Sequence, residues 1–108
     1  MFGALTVTKI HTSDASAATA FYRDRLGLEV IEAHGTHTTV FATGNGGELI
    51  VTEQPSERPV DIAFTGVDIP AAHEALSDLG ATDVVPHKTG ERFELTDPDG
   101  NKVIFVNA

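Results

Sequence analysis

The sequence predicts an α+β fold built from two tandem βαβββ modules, and three observations support this prediction. First, the pattern of a strand, a helix and three further strands occurs twice within the 108 residues. Second, two helical segments each start after an aspartate, Asp14 or Asp68, and end at a glycine, Gly27 or Gly80. Third, a polar segment bounded by prolines, residues 54–59, separates the two repeats.

The first module is expected at residues 5–54. Ser13 or Asp14 can cap its helix with a side-chain oxygen, and Phe21, Tyr22 and Leu26 recur at helical spacing to form an apolar face. The sequence GNGG at 44–47 is a turn whose residues tolerate positive φ, and it joins two strands. The predicted strands are residues 5–11, 28–33, 37–43 and 48–53.

The second module is expected at residues 60–108. Pro70 lies in the first turn of its helix, and Leu76 and Leu79 belong to the apolar face. The sequence DPDG at 97–100 is a turn in which proline fixes φ early and glycine frees it late. The predicted strands are residues 60–67, 84–85, 92–96 and 103–106. Because each module leaves one face of its sheet uncovered, the two are expected to pack into one domain over residues 1–108.

Composition excludes several classes of function. Seven Lys and Arg against sixteen Asp and Glu give a net charge of −9, which disfavours nucleic-acid binding. This acidity either keeps the protein soluble or steers cationic ligands towards it. The absence of cysteine excludes disulfides and thiolate metal sites. No signal peptide and no apolar run of about 20 residues is visible, so we expect a cytoplasmic protein without a membrane partner.

Two motifs carry a resemblance to a known family. The segments TSD at 12–14 and FYRDRLGLE at 21–29 resemble the first-module signature of the vicinal oxygen chelate superfamily, which contains glyoxalases, bleomycin-resistance proteins and extradiol dioxygenases. The segment DPDGN at 97–101 resembles its second-module signature. The resemblance implies a cup-shaped, partly open mixed sheet with the helices outside. It is specific for fold and poor for function, because the superfamily includes metal-dependent isomerases, lyases and dioxygenases as well as metal-free antibiotic-binding proteins.

The resemblance also implies four metal-ligand positions, one on the first and one on the last strand of each module. In this chain those positions hold Val7, Ile50, Asp61 and Ile104. Aliphatic side chains have no donor atom, and one carboxylate does not make a site. We therefore predict that the usual metal centre is absent and that no cofactor is bound. Whether the chain is an enzyme stays open, with the balance against it.

Other polar residues offer alternatives. A relocated metal site could use His11, His37 and a carboxylate, either Glu48 or Glu53. Lys9 could orient an anionic or carbonyl group, or extend to the rim of the cup. Asp61 could bind a cation or act as a general base, or pair with Lys9 or with water. The remaining histidines, His34, His73 and His87, are expected to be exposed to solvent.

The predicted function is metal-free binding of an apolar or cationic small molecule, such as sequestration of an antibiotic, by a homodimer. The alternatives are a glyoxalase-like lyase or isomerase, a dioxygenase-type enzyme, or a non-catalytic scaffold subunit whose apolar cup is filled by its own core. The residues expected to line the pocket are Val7, Lys9, His11, His37, Phe41, Ile50, Thr52, Asp61, Ala63, Phe93, Ile104 and Val106.

Overall fold

The computed structural model describes residues 5–54 and 59–107. The chain divides into two compact units, Met1–Glu57 and Arg58–Ala108, so the boundary falls inside the segment predicted to separate the modules. Most of that segment, residues 55–58, lies outside the described residues. The units are called module 1 and module 2 below. That the two form a single domain stays a prediction.

Module 1 has the predicted order of elements. Asp14 caps its helix, accepting a hydrogen bond from the amide of Ala17 at 3.1 Å. The amide of Leu26 bonds to the carbonyl of Phe21 at 3.1 Å, a five-residue spacing typical of π-helical turns, and Gly27 follows at φ 74°. The elements are β1 (Val7–Thr12), α1 (Ala15–Thr19, continued by π-helical turns over Ala20–Arg25), β2 (Glu29–His34), β3 (Thr38–Ala42) and β4 (Glu48–Glu53).

The sheet of module 1 has the order β1-β4-β3-β2, with β1 parallel to β4 and the other pairs antiparallel. One face of this sheet packs against α1. Tyr22 and Phe41 are fully buried there with ring centroids 6.0 Å apart, and the hydroxyls of Thr19 and Thr39 lie 3.2 Å apart. Burial of these aromatic rings is the main apolar contribution of the module's core.

Module 2 repeats the arrangement, with sheet order β5-β8-β7-β6. Asp68 caps the helix through the amide of Ala71, and the helix ends in a 3₁₀ turn before Gly80, which has φ 79°. The elements are β5 (Asp61–Phe64), α2 (Ile69–Leu76, continued by the 3₁₀ turn Ser77–Leu79), β6 (Val85–His87), β7 (Gly90–Thr96) and β8 (Lys102–Val106). Strand β5 is shorter than predicted, because Gly66 turns the chain at φ 67°.

The face of the second sheet that packs against α2 contains stacked aromatic rings. Phe105 stacks on Phe64 and Phe93, with centroid distances of 5.7 and 4.9 Å. His73 meets Phe93 edge-on at 5.0 Å, and its Nε2 lies 2.9 Å from the carbonyl oxygen of Thr82. The expectation that His73 is a solvated helical histidine is therefore wrong: it ties α2 to β7 and to the loop that precedes β6.

The turn at 97–101 fastens the strands of module 2 to one another. Asp97 and Asn101 are 5 and 4% exposed, and the Asp97 carboxylate accepts hydrogen bonds from the amides of Asp99 and Asn101 and from the Asn101 side chain. Asn101 Oδ1 accepts from the amide of Val60 at 2.9 Å, at the start of β5. This family motif is thus structural. In the described residues, no helix is long and apolar enough to cross a membrane.

Candidate functional site

Each module has one sheet face that carries no helix, and most of the predicted site residues lie on these two faces. In module 1, three register pairs link β1 to β4: Val7 with Glu48, Lys9 with Ile50, and His11 with Thr52. Side chains of register partners project to the same face, and so do those two residues apart. The helix-free face of module 1 therefore consists of Val7, Lys9, His11, Glu29, Glu32, His34, Thr38, Val40, Ala42, Glu48, Ile50 and Thr52.

The helix-free face of module 2 follows from its register in the same way. Asp61 pairs with Lys102, and Ala63 pairs with Ile104. Lys102 Nζ lies 3.7 Å from Glu94 Oε1, so this face carries an ion pair beside the aliphatic side chains. The face consists of Asp61, Ala63, Val85, His87, Arg92, Glu94, Thr96, Lys102, Ile104 and Val106.

The residues at the four family ligand positions do not fit a metal ion. Val7, Ile50 and Ile104 lie on the helix-free faces, and they have no nitrogen or oxygen donor in their side chains. Asp61 is exposed at the start of β5 and supplies the one carboxylate of the set. Among residues 5–54 and 59–107, no three or more His, Asp or Glu side chains converge in a way that could hold a metal.

The relocated site with His11 and His37 lacks its carboxylate. Glu53 lies on the other face of β4, where its Oε2 accepts a hydrogen bond from the amide of Ala15 at 3.1 Å and so caps α1. Glu48 is on the correct face, but it pairs with Val7, four residues from the register partner of His11. At about 3.3 Å per residue this separation is roughly 13 Å along the strand. The structure therefore brings neither carboxylate to the histidines.

Two predicted lining residues are on the wrong face. Phe41 pairs with Leu49 and packs against Tyr22 on the helix side of module 1. Phe93 pairs with Phe105 and packs against His73 on the helix side of module 2. Both assignments are corrected by the same physical fact: side chains alternate along β3 and β7, and the large aromatic residues of these strands pack on the helix side.

Sequence reasoning missed Thr38. His37 was placed in β3, but it belongs to the preceding turn. In β3, Thr38 is the register partner of Thr52 and therefore shares a face with Ile50. His37 Nδ1 lies 2.7 Å from Thr38 Oγ1, which lies 2.8 Å from Thr52 Oγ1. These three side chains are hydrogen-bonded in series and reach the strand position next to His11. The run of two threonines at the start of β3 gave no signal of which one faces inward.

Of the predicted lining residues, nine thus lie on helix-free faces: Val7, Lys9, His11, Ile50 and Thr52 in module 1, and Asp61, Ala63, Ile104 and Val106 in module 2. His37 lies beside them through Thr38. Ile50 and Ile104 are half-buried, and Lys9 and Asp61 are exposed. That these residues line a ligand pocket stays a prediction.

The chain belongs to the glyoxalase-like domain family, whose model matches residues 6–106. This confirms membership of the vicinal oxygen chelate superfamily and the α+β fold with two βαβββ modules. No curated protein matches the chain.

Solved structures show the same fold. The lactoylglutathione lyase from Agrobacterium tumefaciens superposes with a TM-score of 0.82 at 20% identity, covering 95% of this chain and 92% of its own. Oxidase ChaP-H1 superposes with a TM-score of 0.83 at 21% identity, covering 98% of this chain and 96% of its own. A glyoxalase/dioxygenase from Nostoc punctiforme superposes with a TM-score of 0.73 at 17% identity, covering 94% of this chain and 88% of its own. At these identities the likeness establishes the fold alone.

Proposed function

We propose that this protein binds a small molecule with an apolar body on the helix-free faces of its sheets, without the metal centre usual in its family. One observation carries the proposal: Val7, Ile50 and Ile104 occupy three of the four positions at which family members place metal ligands. Valine and isoleucine change a coordinating position into an apolar surface, and apolar walls with a few polar groups are usual in small-molecule sites.

The net charge of the chain favours some classes of ligand over others before contact. A net charge of −9 repels anions and attracts cations before any contact is made. We therefore propose a neutral or cationic ligand, with sequestration of an antibiotic as the biological role. We further propose that the protein acts in the cytoplasm as a homodimer; the exposed edge strand β2, with Val30 and Ile31 37 and 43% exposed, leaves backbone groups free for pairing.

An enzymatic function is the second candidate, because the structural neighbours include a lyase and oxidases. Without the four ligands, such an activity would rest on acid–base groups of the helix-free faces, namely Lys9, His11 or Asp61. Binding without turnover of the molecule supports the first candidate, whereas a chemically altered product supports the second.

The test is a thermal-shift screen of aromatic and alicyclic compounds in neutral, cationic and anionic forms, followed by calorimetry on the compounds that stabilise the protein. We expect saturable binding that Ile50→Asp abolishes, because a carboxylate would then stand in the apolar surface. The matched control is Leu5→Asp, which places the same charge at a 96% exposed position before β1 and should leave binding unchanged. Equal binding by both variants, or no saturable ligand at all, would contradict the proposal.

A further inference from the structure

His11 is a half-buried histidine that uses neither ring nitrogen within its module. It faces Thr52 across the β1–β4 pair, but no hydrogen bond joins it to a described residue of module 1. An imidazole removed from part of its water usually finds a protein partner. Within the described residues of module 1, both ring nitrogens of His11 are therefore left for a further hydrogen-bond partner.

Lys9 stands two residues before His11 on the same face of β1 and is exposed. It forms no ion pair with a described carboxylate of module 1, although Glu48 lies on the same face. An ammonium has three donor hydrogens and no acceptor. Lys9 and His11 are therefore two adjacent groups that both suit a hydrogen-bond-accepting oxygen.

Thr52 completes this set through the series of hydroxyls behind it. Thr52 is 6% exposed; its Oγ1 lies 2.8 Å from Thr38 Oγ1, and Thr38 Oγ1 in turn lies 2.7 Å from His37 Nδ1. Each hydroxyl has one hydrogen, so the series is polarised as a unit. When His37 donates from Nδ1, Thr38 donates to Thr52, and the hydroxyl hydrogen of Thr52 is left for an acceptor beside His11.

Ile50 gives this polar group an apolar neighbour. It is the register partner of Lys9, and Val40 flanks it on the other side. Ile50 is half-buried and Val40 is 4% exposed, so an apolar body could cover the remaining surface of Ile50 while its oxygen reaches Lys9 and His11.

We propose that Lys9, His11 and Thr52 bind a carbonyl oxygen of a ligand whose apolar body lies on Ile50. The inference rests on the proposed function and adds the chemical group that the ligand presents to module 1. Net charge governs approach from a distance, whereas these three side chains determine which atom is held on contact.

Three probes that share a cyclohexane ring test this assignment by NMR titration of the full chain. They are cyclohexanecarboxylate, cyclohexanecarboxamide and cyclohexylmethylammonium. Such small fragments bind in the millimolar range at best. The carboxylate and the carboxamide are expected to shift the ring signals of His11 saturably, and the ammonium is expected to bind about tenfold more weakly, since it has no acceptor.

Variants separate recognition from folding. His11→Phe keeps an aromatic ring without nitrogens and should weaken binding of the carboxamide about tenfold while leaving that of the ammonium unchanged. His34→Phe is the control for a histidine on the same face: His34 is the register partner of Thr38 on the edge strand β2, is exposed, lies three strand spacings or roughly 14 Å from β1, and its Nε2 is paired with Glu32. The amide spectrum of each variant reports whether the fold is retained.

The outcomes are distinguishable. If the ammonium binds as tightly as the carboxamide, or if His11→Phe behaves like His34→Phe, the assignment is wrong. If all three probes bind alike and Ile50→Asp alone abolishes binding, the assignment fails but the proposed function stands. If none of the probes binds, the result counts against both.

Discussion

Replacing Asn101 by alanine is expected to destabilise module 2 more than replacing an exposed asparagine by alanine would. Asn101 is 4% exposed; its Nδ2 donates to Asp97 Oδ2 at 2.8 Å, and its Oδ1 accepts from the amide of Val60 at 2.9 Å. Asn101→Ala removes both bonds. It leaves the Val60 amide without its acceptor. It also removes one hydrogen-bond donor from the Asp97 carboxylate, which is 5% exposed.

The magnitude follows from these two losses. A hydrogen bond between neutral groups contributes about 1 kcal/mol and one to a charged group about 2 kcal/mol, so the free energy of unfolding should fall by about 3 kcal/mol. For a domain of this size that corresponds to a decrease in Tm of roughly 15 °C. Strand β5 should be affected first, because Val60 precedes Asp61, the first residue of that strand.

Calorimetry and urea unfolding followed by circular dichroism measure this loss. The matched control is Asn107→Ala, because Asn107 is exposed and its Oδ1 accepts one hydrogen bond, from the Glu91 amide at 2.8 Å. The control should cost about 1 kcal/mol or less. If Asn101→Ala loses no more stability than Asn107→Ala, the family motif does not act through this buried turn and the reasoning is refuted.

Three further predictions concern stability and assembly. Gly47→Ala should cost about 1–3 kcal/mol in urea unfolding, because a Cβ there would lie 2.9 Å from the backbone oxygen of Thr6; Gly44→Ala, with nothing within 4 Å, should be tolerated. Asp14→Ala should cost about 1 kcal/mol in the same assay, since the Ala17 amide loses its cap, and an unchanged midpoint would exclude that role. Light scattering should report twice the mass of one chain, and a monomer at all concentrations would contradict the homodimer.

The fold could be predicted because its signals are local. Asp14 and Asp68 start the helices, and Gly27 and Gly80 end them at positive φ, as the sequence indicates. Capping oxygens and left-handed glycines act within a few residues, so they are visible without tertiary context. The π-helical turns over Ala20–Arg25 left no such signal, since they depend on how α1 packs against its sheet.

The faces of the strands were predicted only in part. In β1 the cap at Asp14 gave a fixed point from which His11, Lys9 and Val7 could be counted back, and these three residues share one face. In β3 no such fixed point was available, and Phe41 lies on the helix side as the register partner of Leu49. Phe93 was assigned to the wrong face as well, because its neighbours in β7 do not indicate which face is buried.

The hydrogen-bonded series of His37, Thr38 and Thr52 lies beyond sequence reasoning altogether. It joins residues 14 positions apart through a cross-strand threonine pair and a histidine in a turn. Threonine is common in strands for its β-branched side chain, so its presence in β3 and β4 does not itself indicate a polar site.

Metal binding tests the central claim most directly. Untagged protein is analysed for metal content and then titrated calorimetrically with Ni²⁺, Zn²⁺, Fe²⁺ and Mn²⁺. We predict no stoichiometric metal and no saturable heat, because Val7, Ile50 and Ile104 supply no donor atoms at the family's ligand positions. One tightly bound ion per chain, lost on substitution of Asp61→Ala or His11→Phe, would contradict the account and return the protein to the metal-dependent enzymes of its family.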